Sequence, residues 1–103
     1  MIDISIKRED NAVRSILATG HATKGRKSEQ ICSGVSTLMY TFALSLQDIK
    51  RVGINVVDDD VGMCVQILRG HTRKDVQIIT DTVLRGLRGI AELYPHSVRI
   101  RSN

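Results

Sequence analysis

An apolar stripe in the middle of the chain places the strongest constraint on its fold. Apolar side chains recur there at three- and four-residue intervals, at positions Ile31, Val35, Leu38, Met39, Phe42 and Leu46. This spacing puts them on one face of an α-helix. Ser28, just before the stripe, carries the kind of side chain preferred at a helix N-cap. The pattern therefore predicts a buried helix of about five turns that begins at Ser28.

Strand patterns lie on both sides of this helix. Residues 2–7 alternate isoleucine with a polar residue, which is typical of a strand with one buried face. Residues 12–19 follow a polar turn and predict the partner strand of a β-hairpin. Residues 51–57 and 63–68 predict a second hairpin, joined by a link rich in turn-forming residues.

The last third of the chain predicts a second helix and a closing strand. Apolar periodicity indicates a helix over about residues 75–94, ended by Pro95. Residues 98–101 alternate again and predict a short strand. The order ββαββαβ favours an α+β fold with a largely antiparallel sheet and both helices on one face. With 103 residues, the chain has room for one core, and we expect residues 1–103 to form a single domain.

The sequence lacks the patterns of secreted and membrane proteins. No uninterrupted apolar run like that of a signal peptide follows Met1, and no stretch approaches the length of a membrane span. The expected compartment is the cytoplasm. Because that compartment is reducing, we expect Cys32 and Cys64 to be free thiols.

The charge balance is mildly basic. Fifteen lysines and arginines against eleven acidic residues give a net charge of +4. Such a surface favours encounters with acidic partners such as ribosomal RNA but establishes no specific site. Only three aromatic residues are present, so a base-stacking platform is not expected. A non-catalytic module associated with the ribosome or RNA is therefore the alternative to an enzyme.

A cysteine and a histidine near the start of the first predicted helix suggest catalysis. Cys32 lies one residue off the apolar stripe, and His21 precedes it by eleven residues within the sequence Gly20, His21, Ala22. A helix N-terminus carries partial positive charge, which favours a thiolate in the first turn. A neighbouring histidine supplies proton transfers. The pair predicts a cysteine hydrolase that acts on a peptide.

Several neighbours of Cys32 have candidate supporting roles. Backbone amides around Cys32 and Ser33 are predicted to hold the oxyanion of a tetrahedral intermediate. Glu29 complements the helix dipole, with a role as third catalytic residue as the lesser alternative. Ser36 is expected to face the preceding loop from the helix. Gly34 either keeps the approach to the thiol open or lets the helix pack closely on a strand.

Other assignments remain open. His71, in a similar Gly-His loop, and His96 compete with His21 as the base. Cys64 is interpreted as structural, and a redox protein would need it as the resolving thiol because no Cys-x-x-Cys is present. The aspartates at 58–60 favour a hairpin turn over a cation site. No metal and no cofactor are predicted.

The motif around these residues resembles a known family. Gly20, His21 and Ala22, then Gly25, Glu29 and residues 31–36, together resemble the ribosomal-processing cysteine protease family, Prp. The order of elements and the length fit over the whole chain, whereas the specific motif is confined to about residues 20–36.

The resemblance implies a His/Cys dyad, with Cys32 as nucleophile and His21 as its partner. It also implies a flexible loop, carrying Gly20 and Gly25, that orders over the substrate. Family members remove a short N-terminal extension from a large-subunit ribosomal protein, or process a virion protein in phage relatives, and are typically homodimers. The implied partners are therefore such a precursor and a second copy of the chain.

The sequence also departs from the family pattern. Glu29 replaces an aspartate, Gln30 replaces an apolar residue, and the loop is one residue shorter. The loop also carries basic residues at Lys24, Arg26 and Lys27, where family loops contain tyrosine and acidic residues. These differences leave the dyad intact and are compatible with a different substrate.

Overall fold

A computed structural model of the chain describes residues 1–22, 25 and 27–103. It contains seven elements in the predicted order ββαββαβ. They are β1 (Ile2–Glu9), β2 (Ala12–Gly20), α1 (Ser28–Gln47), β3 (Gly53–Asp58), β4 (Gly62–Arg69), α2 (Lys74–Leu93) and β5 (Val98–Ser102). The predicted α+β class is confirmed.

The five strands form one sheet in the order β3-β4-β2-β1-β5. Three of the four strand pairs are antiparallel, and β1 with β5 is parallel. Ile4 on the interior strand β1 lies opposite Ala18 on β2 and Ile100 on β5. The largely antiparallel sheet predicted from the sequence is therefore confirmed.

One face of the sheet is apolar and is covered by the helices. Ile2, Ile4 and Ile6 are at most 3% exposed, as the alternating pattern of β1 predicts. The side chains that are almost completely buried come from both layers: Phe42, Ile4, Ile6, Ile16, Met39, Leu46, Ile67, Leu84, Leu87, Val65 and Val76. Each large apolar side chain buried in this way contributes roughly 1.5–3 kcal/mol.

The two helices pack closely against each other through glycines. A Cβ atom at Gly34 of α1 would lie 3.2 Å from Cδ1 of Ile90 on α2, and one at Gly86 of α2 would lie 2.9 Å from the methyl carbons of Leu38. Of the two alternatives given for Gly34, the structure shows close packing, with the second helix as the partner in place of a strand. Within the described ranges, neither helix is long and apolar enough to cross a membrane.

Helix α1 begins one residue earlier than a cap at Ser28 implied. Lys27 occupies the N-cap position without a capping side-chain bond, and Ser28 is the first helical residue. The Ser28 hydroxyl instead donates to the carbonyl of Gly25 over 3.0 Å. The regular hydrogen bonds of the helix start where the Ile31 amide donates to the Lys27 carbonyl, over 2.9 Å. Ser28 therefore ties the helix back to the preceding loop and does not cap it.

Candidate active site

A cleft of about 280 Å³ opens between the end of β2, one face of α1 and the turn that joins β3 to β4. Its inner wall is apolar and includes Ile2, Val35 and Met39. Its polar lining consists of Gly20, His21, Cys32, Ser36, Tyr40, Asp58, Asp59 and Asp60. The cleft therefore brings together the histidine and the cysteine that the sequence singled out.

Cys32 lies on the rim of the packing face of α1. It is the fifth residue of the helix and is half-buried. The backbone N–H of Ala22 donates to its Sγ over 3.4 Å. Ala22 is itself buried, with 8% exposure, so the chain segment after His21 is anchored against the thiol. A backbone N–H directed at sulfur stabilises negative charge there.

His21 enters the cleft from the end of β2 through a turn at Gly20. Gly20 has a φ of +86°, and a Cβ there would lie 2.3 Å from the Met1 carbonyl oxygen. Only glycine fits this conformation and this approach. His21 is exposed and lines the same cleft as Cys32. Among the described residues no hydrogen bond joins the two side chains, and such contacts commonly tighten only when substrate binds.

The two competing histidines lie outside the cleft. His71 is buried, and its Nε2 lies 3.2 Å from Oδ2 of Asp10 in the turn after β1. This turn is at the opposite end of β1, which spans about 23 Å at 3.3 Å per residue. His96 is exposed in the link between α2 and β5. Of the three histidines, all of which the structure describes, His21 alone lines the cleft.

The structure brings only some of the predicted supporting residues to the cleft. Ser36 lines it one turn after Cys32. Ser33, Glu29 and Gly25 are exposed and are not among the residues that line it. The predicted substrate loop also includes residues 23, 24 and 26, which lie outside the described residues.

The helix bounds also bear on the predicted oxyanion site. Cys32 is in the second turn of α1 and not in the first. Because the Ile31 amide already donates to the Lys27 carbonyl, the amides of Cys32 and Ser33 follow inside the hydrogen-bonded helix. α-Helical pairing therefore leaves these two amides no free N–H for an oxyanion. The Ala22 amide is the described donor that points at the sulfur.

Cys64 lies away from the cleft, on β4. It is half-buried, and this burial raises the pKa of its thiol, although the charge of Lys7 partly opposes the shift. Its place on the strand agrees with the structural role predicted for it. Cys32 and Cys64 are both free thiols, as expected.

The described residues contain one group with the donors for a metal ion. Ligand atoms of Glu9, Asp10 and His71 lie within 4.8 Å of one another, at the end of β1 far from the cleft. Glu9 is already held by Arg14, with 2.9 Å between Oε2 and the guanidinium. An ion would therefore have to compete with this salt bridge.

Sequence reasoning missed the part of the cleft formed by Tyr40 and Asp58. The Tyr40 hydroxyl donates to Oδ2 of Asp58, and this hydrogen bond and the charge of Asp58 raise the pKa of Tyr40. Tyr40 follows Cys32 and Ser36 at four-residue spacing, so all three share one helix face. That spacing was the available signal, but nothing in the sequence pairs the helix with the turn at Asp58.

Comparisons with known proteins point to one family of cysteine proteases. The family model described as cysteine protease Prp matches residues 1–99. The fold is similar to that of the S. aureus ribosomal processing protease Prp solved with a covalently linked product peptide, with a TM-score of 0.86, 21% identity and full coverage of both chains. The same S. aureus protease solved with a substrate peptide gives a TM-score of 0.87 at 20% identity, again over both whole chains.

A third similar structure is SMU.848 from Streptococcus mutans. It has a TM-score of 0.86 and 25% identity, over 99% of this chain and 93% of that one. No curated protein matches the sequence.

Proposed function

Because the chain belongs to the Prp family of cysteine proteases, we propose that it cleaves a peptide bond with Cys32 as nucleophile and His21 as proton-transfer partner. One observation carries this assignment: Cys32 and His21 line the same cleft, whereas Cys64 and His71 lie elsewhere. The Ala22 amide beside Sγ supports it, because the residue that follows His21 touches the reacting atom.

In the proposed reaction the Cys32 thiolate attacks the carbonyl carbon of the scissile bond. The tetrahedral intermediate collapses as the protonated His21 gives its proton to the leaving amine, and a thioester to Cys32 remains. Water, deprotonated by His21, then attacks the thioester and releases the carboxylic acid and the free thiol. When the C–S bond forms, sulfur loses its charge, and the Ala22 N–H is left beside the new oxyanion.

The proposed substrate is the N-terminal extension of a large-subunit ribosomal protein precursor, or a related virion protein if the enzyme comes from a phage. The S. aureus relative supports this choice, because it is a ribosomal processing protease that binds substrate and product peptides. In this scheme Ser36 contacts the bound peptide one turn from Cys32. Glu29 complements the dipole of α1, and the loop through Gly25 orders over the substrate.

The proposed enzyme works in the cytoplasm as a homodimer. The homodimer rests on family membership. The cytoplasm is the compartment expected from the sequence. Contact with RNA would be weak and nonspecific, as the modest net charge of +4 indicates.

The test is intact-mass analysis of an extended ribosomal-protein precursor after incubation with three proteins: wild type, Cys32→Ala and Cys64→Ala. We expect wild type and Cys64→Ala to remove a defined N-terminal fragment, and Cys32→Ala to leave the precursor whole. Cleavage by Cys32→Ala at the wild-type rate would disprove the nucleophile. Salt-sensitive retention of RNA without cleavage by any of the three would favour a non-catalytic binding module.

A further inference from the structure

The cleft is acidic although the chain is basic. The chain carries a net charge of +4 when histidine is counted as neutral. On the same count, the charged residues among the described cleft residues are all acidic: Asp58, Asp59 and Asp60. No lysine or arginine is among the cleft-lining residues that the structure describes. Lys27, the described basic residue next to α1, has its Nζ 5.7 Å from the centre of the Tyr94 ring. Tyr94 is not one of the residues that line the cleft.

The three carboxylates have different local roles. Oδ1 of Asp59 accepts the amides of Val61 and Gly62 over 2.9 and 3.2 Å, so Asp59 builds the turn. Asp58 accepts the Tyr40 hydroxyl, which fixes its carboxylate against α1. Asp60 is exposed and makes no hydrogen bond or ion pair with the described residues. Asp58 and Asp60 therefore keep carboxylate oxygens available to a molecule in the cleft.

The distance from Cys32 sets which part of a substrate would meet this wall. Tyr40 lies eight residues after Cys32 on the same helix face, which is about 12 Å along the axis at 1.5 Å per residue. An extended peptide advances about 3.3 Å per residue. A side chain three or four residues from the cleaved bond would therefore reach the tyrosine and the two carboxylates.

We propose that Asp58, Asp60 and the Tyr40 ring form a subsite that selects a lysine or arginine side chain three or four residues from the cleaved bond. This inference rests on the proposed protease function. The carboxylates pair with the cation, and the face of an aromatic ring adds a further attraction to it. The hydroxyl of Tyr40 contributes by holding the Asp58 carboxylate in place.

The experiment uses decapeptide libraries in which one position carries lysine, norleucine or glutamate and all other positions carry uncharged residues. Mass spectrometry identifies the cleavage products. We expect wild type to cleave the lysine peptides at least about five-fold faster than the norleucine peptides, in kcat/KM, at one position three or four residues from the cut. Asp58→Asn and Asp60→Asn should each lower this ratio about two- to five-fold, the range typical of exposed ion pairs. Asp81→Asn, an exposed aspartate on α2, is the matched control and should leave the ratio unchanged.

A variant with reversed charge at position 60 distinguishes a change in substrate recognition from a loss of folding. Asp60→Lys should shift the preference towards the glutamate peptides while the norleucine peptides are still cleaved. Equal cleavage of lysine and norleucine peptides by wild type would overturn the subsite and leave the protease assignment standing. If wild type cleaves no peptide and no precursor, the proposed function fails, and the subsite fails with it.

Discussion

The backbone N–H of Ala22 donates to Sγ of Cys32 over 3.4 Å, although ten residues separate them in the sequence. Ala22 is buried in the core, so this contact fixes the end of the His21 segment relative to the thiol. The position of the proposed base thus depends on main-chain packing at Gly20 and Ala22. Changes at these two residues should therefore alter catalysis even though neither side chain takes part in the chemistry.

Replacing His21 with glutamine should lower kcat for precursor cleavage by at least about 100-fold, the lower end of the contribution of a general acid–base. The fold should be unaffected because His21 is exposed. His71→Gln is the matched control. It removes a buried imidazole near Asp10, so it should reduce the free energy of unfolding by about 1 kcal/mol and leave kcat unchanged. Equal losses of kcat in the two variants would argue against His21 as the base.

Cys64 should react slowly with iodoacetamide. Burial raises its pKa, so less thiolate is present at neutral pH than in an unstructured cysteine peptide. Labelling of Cys32→Ala, which retains only Cys64, would measure this rate against that peptide. A rate equal to that of the peptide would contradict the prediction.

The same shift has a consequence for stability at alkaline pH. The folded state keeps the Cys64 proton to a higher pH than the unfolded chain does, so the contribution of Cys64 is complete below the unfolded value of about 8.5. It is lost as the pH rises from there through the folded value. Urea unfolding of wild type and Cys64→Ala between pH 7 and 10 should show a steeper fall for wild type.

Tyr40 should ionise above the ordinary phenol value of about 10, because its hydroxyl donates to the Asp58 carboxylate and the negative charge of Asp58 disfavours a phenolate. Ultraviolet titration in a Tyr94→Phe background would isolate the signal of Tyr40. Adding Asp58→Asn should bring the midpoint down towards 10. An unchanged midpoint would mean that the two groups do not interact in solution.

Gly20→Ala should destabilise the protein by at least about 2 kcal/mol and also reduce activity. The substitution places a side chain at a φ of +86° and a Cβ 2.3 Å from the Met1 carbonyl oxygen. Gly89→Ala is the matched control, because a Cβ there meets nothing within 4 Å in the interior of α2. It should stabilise the fold by about 0.4–1 kcal/mol. Thermal unfolding of both variants checks the pair, and similar midpoints would contradict the role given to Gly20.

The order of elements could be predicted because each element has its own periodicity. Residues 2–7 alternate, and the apolar stripe from Ile31 to Leu46 repeats with a helical period. The N-cap of α1 could not be predicted in this way, because a serine hydroxyl can cap a helix or bond back to the loop, and that of Ser28 bonds to the Gly25 carbonyl. The earlier start places Cys32 in the second turn. Its amide lies within the hydrogen-bonded part of the helix with either start.

The site was only partly predictable for a different reason. The motif around His21 and Cys32 is local, and both residues indeed line one cleft. The acidic part of the cleft depends on a contact between Tyr40 on α1 and Asp58 at the end of β3. A hydroxyl and a carboxylate eighteen residues apart give no pairing signal in a single sequence. The contact of Gly34 with α2 was not predicted for the same reason, since Ile90 lies 56 residues further along the chain.

The close approach of Met1 to Gly20 decides how the protein should be prepared for assays. The Met1 carbonyl lies against Gly20, and Ile2 lines the cleft, so an affinity tag fused before Met1 would emerge beside the nucleophile. Such a tag is a tethered peptide at high effective concentration and would compete with added substrate. The amide of Asn103 donates to the Ile6 carbonyl over 3.2 Å, well along β1 from Ile2. A tag fused after Asn103 would leave the cleft open.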